Sequence, residues 1–208
     1  MVDYSILEVE GEFVTVGLSG FFGREFSISK KGLLKSDAQV AVDYILNHFV
    51  SKQTKIKDLE TFGFGSWLIQ FVYNGAYIEL HELKDVHQGV NYYEFDLTQT
   101  IKYYSEQVAL CKEHNVTPIF PLIGQKIPMS KEIYGGSEVN GVRYKDESHM
   151  TGWYLTSNSY DGEISSLIVD HLYHLIKMRP DIVKFLALPP GYRFFHDSLG
   201  AEVWKDEE

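Results

Sequence analysis

Apolar and polar residues alternate most cleanly in Trp67-Leu68-Ile69-Gln70-Phe71-Val72-Tyr73 and in Ala76-Tyr77-Ile78-Glu79-Leu80-His81, with Asn74-Gly75 between them. Two such runs joined by Asn-Gly predict an antiparallel hairpin, because a type I′ turn needs two residues that tolerate positive φ. Pairing across that turn sets Gln70 opposite Glu79 and Leu68 opposite His81. The other face then gathers Trp67, Ile69, Phe71 and Tyr73 with Ala76, Ile78 and Leu80, and faces the core. A second Asn-Gly, Asn140-Gly141 within residues 137–144, predicts a second hairpin with Glu138 across from Arg143. Tyr192–His196 and residues 201–204 flank Gly200 and predict a closing hairpin. Residues 6–28 read as extended chain broken by Gly11, Gly17, Gly20 and Gly23.

A helical period appears elsewhere. After Ser36 and Asp37, either able to cap, Ala38, Ala41, Val42, Ile45 and Phe49 share one stripe. After Asp96, the residues Leu97, Ile101, Tyr104, Val108 and Cys111 repeat at steps of three and four as far as Asn115. Residues 164–178 read as a third helix, and Pro180 starts a short one that reaches Leu186. Strands joined by tight turns and interleaved with helices predict an α+β fold: antiparallel sheets with packed helices, in two small subdomains. Pro118, Pro121, Pro128 and Gly135-Gly136 interrupt every period between residues 117 and 136. The expected division is therefore 1–130 and 131–208.

Composition narrows the function. The 208 residues are 44% hydrophobic and 14% aromatic, enough apolar material for a substantial core. No run reaches the ~18 to 20 apolar residues of a membrane helix, and the first residues lack the features of a secretion signal. Cys111 is the single cysteine, which excludes a disulfide framework and fits a reducing, cytoplasmic setting. A net charge of −10 repels phosphate backbones and favours steering towards a basic partner. Direct nucleic-acid binding is not expected.

Few residues group as chemistry requires. Residues 17–23 are glycine-rich, but no Lys-Ser or Lys-Thr follows and G-x-G-x-x-G is absent, so a kinked strand connection is expected there. His171 and His174 form H-x-x-H. On a continuous helix His171 falls in the stripe of Ile164, Leu167, Ile168, Leu172 and Leu175, and His174 falls at its edge. With no H-E-x-x-H and no evident companion ligand, a core and a boundary histidine are expected, with no metal and no cofactor. No serine lies in a G-x-S-x-G elbow. Acidic residues cluster at Glu8/Glu10/Glu12, Asp161/Glu163 and Asp206/Glu207/Glu208, the last a solvated tail. Tyr154 and Tyr160 lie close before Asp161 and Glu163 in sequence, a mixture suited to a wet protein interface, with a plain solvated loop as the other reading. These four are the expected partner-binding residues. Cys111 lies on a buried stripe, where it serves as a small core residue.

The last third carries His149-Met150-Thr151-Gly152-Trp153-Tyr154-Leu155-Thr156-Ser157, Tyr160-Asp161-Gly162, His171-Leu172-Tyr173-His174 and Arg179-Pro180-Asp181. It continues Phe185-Leu186-Ala187-Leu188-Pro189-Pro190-Gly191-Tyr192-Arg193-Phe194 and Val203-Trp204. This series, above all G-W-x-L-T and L-P-P-G-Y-R-F, resembles a family of immunity proteins of bacterial polymorphic-toxin systems, over residues 136–206. The resemblance implies a cytoplasmic protein that binds and neutralises a cognate toxin domain encoded by a neighbouring gene, and it implies no catalytic residues. Given the acidic charge, a basic nuclease is a suitable toxin. Two other readings stand beside it. One is a small hydrolase or metal-dependent enzyme using Asp161, Glu163, His171 or His174. The other is a structural or regulatory subunit of a larger assembly. Trp153 and Trp204 are expected as core anchors.

Overall fold

A computed structural model describes residues 2–87, 89–145 and 148–206. Glu207 and Glu208 of the acidic tail lie outside the described residues. The fold is α+β, and it divides into two compact units, Met1–Lys102 and Tyr103–Glu208. The interrupted stretch 117–136 does not carry this division. Its strand at Lys126–Met129 pairs with two later strands and so belongs to the second unit. Among the described residues no helix is long and apolar enough to cross a membrane.

The first unit opens with β1 (Ser5–Val9), β2 (Glu12–Val16), the single turn α1 (Ser19–Phe22) and β3 (Glu25–Ser29). Then come α2 (Lys35–Lys52), β4 (Thr61–Phe64), β5 (Trp67–Asn74), β6 (Tyr77–His87) and β7 (Val90–Glu94). Helix α3 (Thr98–Glu113) spans the boundary between the units. The described strands of this unit form one sheet in the order β1-β2-β3-β6-β5-β4, with β7 also on β6. All its pairs are antiparallel except β3 with β6. The stripe expected on α2 is buried at Ala38, Ala41, Val42, Ile45 and Phe49. Its start lies earlier than either expected cap. The Leu34 amide donates to the Asp37 carboxylate at 2.8 Å, so Asp37 closes the first turn from inside.

The β5–β6 hairpin forms with its predicted faces but a shifted register. Phe71, Ile69, Ile78 and Leu80 are fully buried. Gln70 stands opposite His81, and Phe71 opposite Leu80, because the loop residues are Gly75 and Ala76 rather than Asn74 and Gly75. Gly75 alone takes a positive φ, +56°, as a type II′ turn requires of its first loop residue. Asn74 is thereby released into the strand, where its amide donates to Glu79 at 2.5 Å. Sliding both strands by one position keeps every side chain on its face, so alternation could not separate the two registers.

The glycine-rich segment does make an anion cradle, but the chain fills it. The amides of Gly17, Leu18 and Ser19 donate to the Glu25 carboxylate at 3.0, 3.0 and 2.9 Å, and the Thr15 hydroxyl donates at 2.8 Å. Burial is the largest single influence on Glu25 and acts to raise its pKa. The hydrogen bonds from Ser19, Thr15, Leu18 and Gly17 together outweigh it and hold the carboxyl below the ordinary glutamate value.

The second unit contains β8 (Lys126–Met129), β9 (Val139–Arg143), β10 (Trp153–Thr156), β11 (Ile168–His171), α4 (Leu172–Met178), β12 (Tyr192–His196) and β13 (Ala201–Lys205). Short 3-10 helices occupy Lys131–Gly135, Ile164–Ser166 and Pro180–Phe185. The strands form a sheet in the order β11-β8-β10-β9-β12-β13, and only β8 with β10 is parallel. The closing hairpin is present as β12–β13.

Three expectations fail here, each for a physical reason. Asn140-Gly141 is not a turn but the middle of β9, between β10 and β12. Gly141 is needed for space: a Cβ there would lie 2.2 Å from the Phe194 ring, which stacks on Phe185 with centroids 4.4 Å apart. Glu138 and Arg143 therefore do not face each other across a turn. Residues 164–178 are not one helix, since β11 intervenes and α4 begins only at Leu172. Trp153 is fully buried as expected, but Trp204 is 42% exposed, because β13 is the edge strand.

Two outcomes follow from this packing. Gly141→Ala should cost about 1–3 kcal/mol in urea unfolding through overpacking against Phe194, whereas Gly124→Ala, with open space around it, should change stability little. Glu25→Gln should destabilise the protein at neutral pH. A carboxyl with a lowered folded pKa adds stability above its ordinary value and loses it as pH falls through the folded pKa. The wild-type advantage should therefore vanish in unfolding curves measured below the glutamate range, and an advantage independent of pH would contradict the cradle's role.

Candidate functional site

Along β9 and β10 alternate side chains point to opposite faces of the sheet. Val139, Gly141, Arg143, Trp153 and Leu155 are buried, while Val142, Tyr154 and Thr156 are half-buried on the other face. Val142 pairs directly with Tyr154, and the Tyr144 ring meets the Tyr154 ring edge-on with centroids 5.5 Å apart. The loop after β10 brings Tyr160, Ile164 and Leu167 over this face. Together with Lys145 they enclose an open groove of about 600 Å³. Ile164 is 75% exposed and Tyr144 52%. This is a cluster of large apolar groups left in water.

The loop's shape comes from Asp161. Its Oδ1 accepts from the Glu163 amide at 2.9 Å and from the Ser166 hydroxyl at 2.7 Å, an Asx turn closed by a serine. The Glu163 amide foremost, then the Ser166 hydroxyl, holds the Asp161 carboxyl below the usual aspartate range. Asp161 thus builds the loop that carries Tyr160 and Ile164. Glu163 is exposed at the rim.

Of the four residues expected to bind a partner, Tyr154 and Tyr160 line the groove, Asp161 shapes its loop, and Glu163 lies on that loop. Alternation and turn chemistry did not reveal Val142, Tyr144, Ile164 and Leu167. By sequence, Val142 and Tyr144 read as part of a hairpin, and Ile164 and Leu167 as part of a helix stripe, neither of which forms. The available signal was the doublet of tyrosines, Tyr144 and Tyr154, at outward positions of neighbouring strands.

The two histidines are both exposed, contrary to the core and boundary positions expected, because the helix begins after His171. Their surroundings include Asp170, whose Oδ1 lies 4.0 Å from His171 Nδ1 and 3.9 Å from His174 Nε2. Asp161 and Glu163 are not members of this cluster. Cys111 is fully buried, and burial pushes its thiol up, away from thiolate chemistry.

The first unit has its own surface groove of about 670 Å³, lined by Val2, Asp3, Tyr4, Gln39, Asp43 and residues of the later turns of α2. Tyr4, Gln39 and Asp43 bond one another: the Tyr4 hydroxyl donates to Asp43 at 2.7 Å and accepts from the Gln39 amide.

Residues 106–206 match the Imm33-like domain. The matched stretch contains the segment 136–206 whose motifs resemble immunity proteins, and it covers β8 to β13 with the groove. No curated protein and no solved structure matches the chain.

The Asx turn is open to a direct check. Ser166→Ala should raise the Asp161 pKa towards the ordinary aspartate value while leaving it lowered, since the Glu163 amide still donates. An NMR titration of the side-chain carboxyl reads this, and an unchanged pKa would contradict the arrangement.

Proposed function

We propose that this chain is an immunity protein that binds a cognate bacterial toxin domain and blocks it without altering it chemically. The match of residues 106–206 to the Imm33-like domain carries this reading, and the groove of the same unit supplies a surface suited to it. Large aromatic side chains held on a rigid sheet contribute contact area at low entropic cost. Tyr144, Tyr154 and Tyr160 form the anchor region, Ile164 supplies apolar area, and Glu163 stands at the rim. A net charge of −10 favours a basic toxin, for example a nuclease whose phosphate-binding surface would be occluded. In this reading the encounter takes place in the cytoplasm, and the toxin is the product of a neighbouring gene.

The roles of the loop residues differ, and so do their variants. Tyr160→Ala removes an anchor and should weaken binding by about 2 kcal/mol, about thirtyfold, through faster dissociation. Glu163→Lys leaves the Asx turn in place and should mainly slow association with a basic partner, an effect that added salt diminishes. Asp161→Lys would disturb the loop itself and is the poorer probe. Co-expression with the neighbouring gene's product, co-purification of the pair and binding kinetics test the reading. Co-purification with protection of the host supports it. Failure to bind or protect would overturn it.

A further inference from the structure

We propose that Asp170, His171 and His174 form a binding site for a divalent transition-metal ion of the zinc class. The three residues meet where β11 ends and α4 begins. His171 is the last residue of the strand and the N-cap of the helix, with φ −76° and ψ 143°. His174 follows three residues later, in the first turn of the helix. The ring centroids are 6.2 Å apart. One ligand atom from each of the three residues lies within 4.8 Å of the other two. Around a tetrahedral ion with bonds of about 2.1 Å, ligand atoms stand roughly 3.4 Å apart. The observed separations of 3.9 and 4.0 Å to Asp170 Oδ1 close to that value with small rotations of exposed imidazoles.

The carboxylate is already oriented for the task. Tyr134, in the 3-10 helix after β8, donates its hydroxyl to Asp170 Oδ2 at 2.6 Å. The His171 amide donates to Oδ1 at 2.7 Å. Oδ2 carries the Tyr134 bond, and Oδ1, 4.0 and 3.9 Å from the two ring nitrogens, accepts one hydrogen bond and has a second lone pair. A hydroxyl that fixes a ligating carboxylate in this way is a usual support of metal sites. Two imidazoles with one carboxylate make a donor set for zinc, nickel, cobalt or iron(II) rather than for calcium or magnesium, which prefer oxygen. Three protein ligands leave coordination positions for water. The inference does not rest on the toxin-binding reading, and the site does not include the groove's lining residues.

The test is calorimetric titration of the full chain, freed of metal by chelator, with zinc chloride, supported by cobalt(II) absorption and thermal unfolding. The expected result is one saturable site per chain, a cobalt visible band, and a melting temperature raised by zinc. His171→Ala and His174→Ala should each abolish the site, whereas His87→Ala, at an exposed histidine in the other unit, should leave it intact. Asp170→Asn keeps a side chain of the same shape and should lose zinc while retaining the fold by circular dichroism. Tyr134→Phe should weaken affinity by about tenfold. Absence of saturable zinc binding would overturn the proposal. So would a site that survives His171→Ala or His174→Ala.

Discussion

The second unit depends on a buried arginine. Arg143 is only 5% exposed, at the end of the central strand β9. Its Nη1 donates to the carbonyl oxygens of Ile119, Leu186 and Leu188 at 2.7, 3.0 and 2.5 Å. The Trp153 indole donates to the same Leu186 oxygen at 2.9 Å. Burial lowers the guanidinium pKa to about 10, so the charge persists at neutral pH. Desolvating such a charge costs several kcal/mol, and charge-assisted bonds to oriented carbonyls offset that cost. Those carbonyls belong to the segments before β8 and before β12. The arginine thus fastens the Leu188-Pro189-Pro190-Gly191 bend to the sheet, and the Gly191 amide completes the link by donating to the Arg143 carbonyl at 2.8 Å.

This anchor also fixes the opposite face. With Arg143 and Gly141 turned inward, Val142 and Tyr144 must point outward, and pairing with β10 sets Tyr154 and Thr156 beside them. The groove is therefore a consequence of how the core is packed. Phe194 over Gly141 locks the same register from β12, since any larger residue would lift the strand. A slip of one position would carry the groove tyrosines into the core and the arginine into water. The loop from Ser157 to Leu167 takes its turn from Asp161, while its start is tied to neighbouring segments: the Ser157 amide donates to the Ser130 hydroxyl at 3.3 Å and the Asn158 amide to Glu138 at 2.9 Å.

Much of this was legible in the sequence where local signals coincide with tertiary demands. The α2 stripe, the β5–β6 faces and the β12–β13 hairpin follow directly from period and turn chemistry. Other expectations fail where a local signal has another explanation. Asn140-Gly141 looks like a turn, but its glycine makes room for Phe194, more than fifty residues away. By spacing His171 reads as part of a helical stripe because residues 164–178 carry apolar groups at intervals that a strand followed by a short helix also satisfies. Asp170 and His174 stand four residues apart and would meet on a continuous helix as well; the strand-to-helix junction also brings in His171, whose Nδ1 lies 4.0 Å from the same carboxylate oxygen. The groove residues are half legible: composition marks Tyr154 and Tyr160, while only the sheet adds Tyr144 and Val142.

In the proposed function the β9–β10 face and the loop above it receive the partner. Hydrogen–deuterium exchange of the chain, alone and with the product of the neighbouring gene, tests it most directly. The account predicts new protection in residues 142–145 and 154–167, with β4 and β5 of the first unit unchanged. Protection confined to the first unit, with residues 154–167 exchanging as in the free protein, would contradict it.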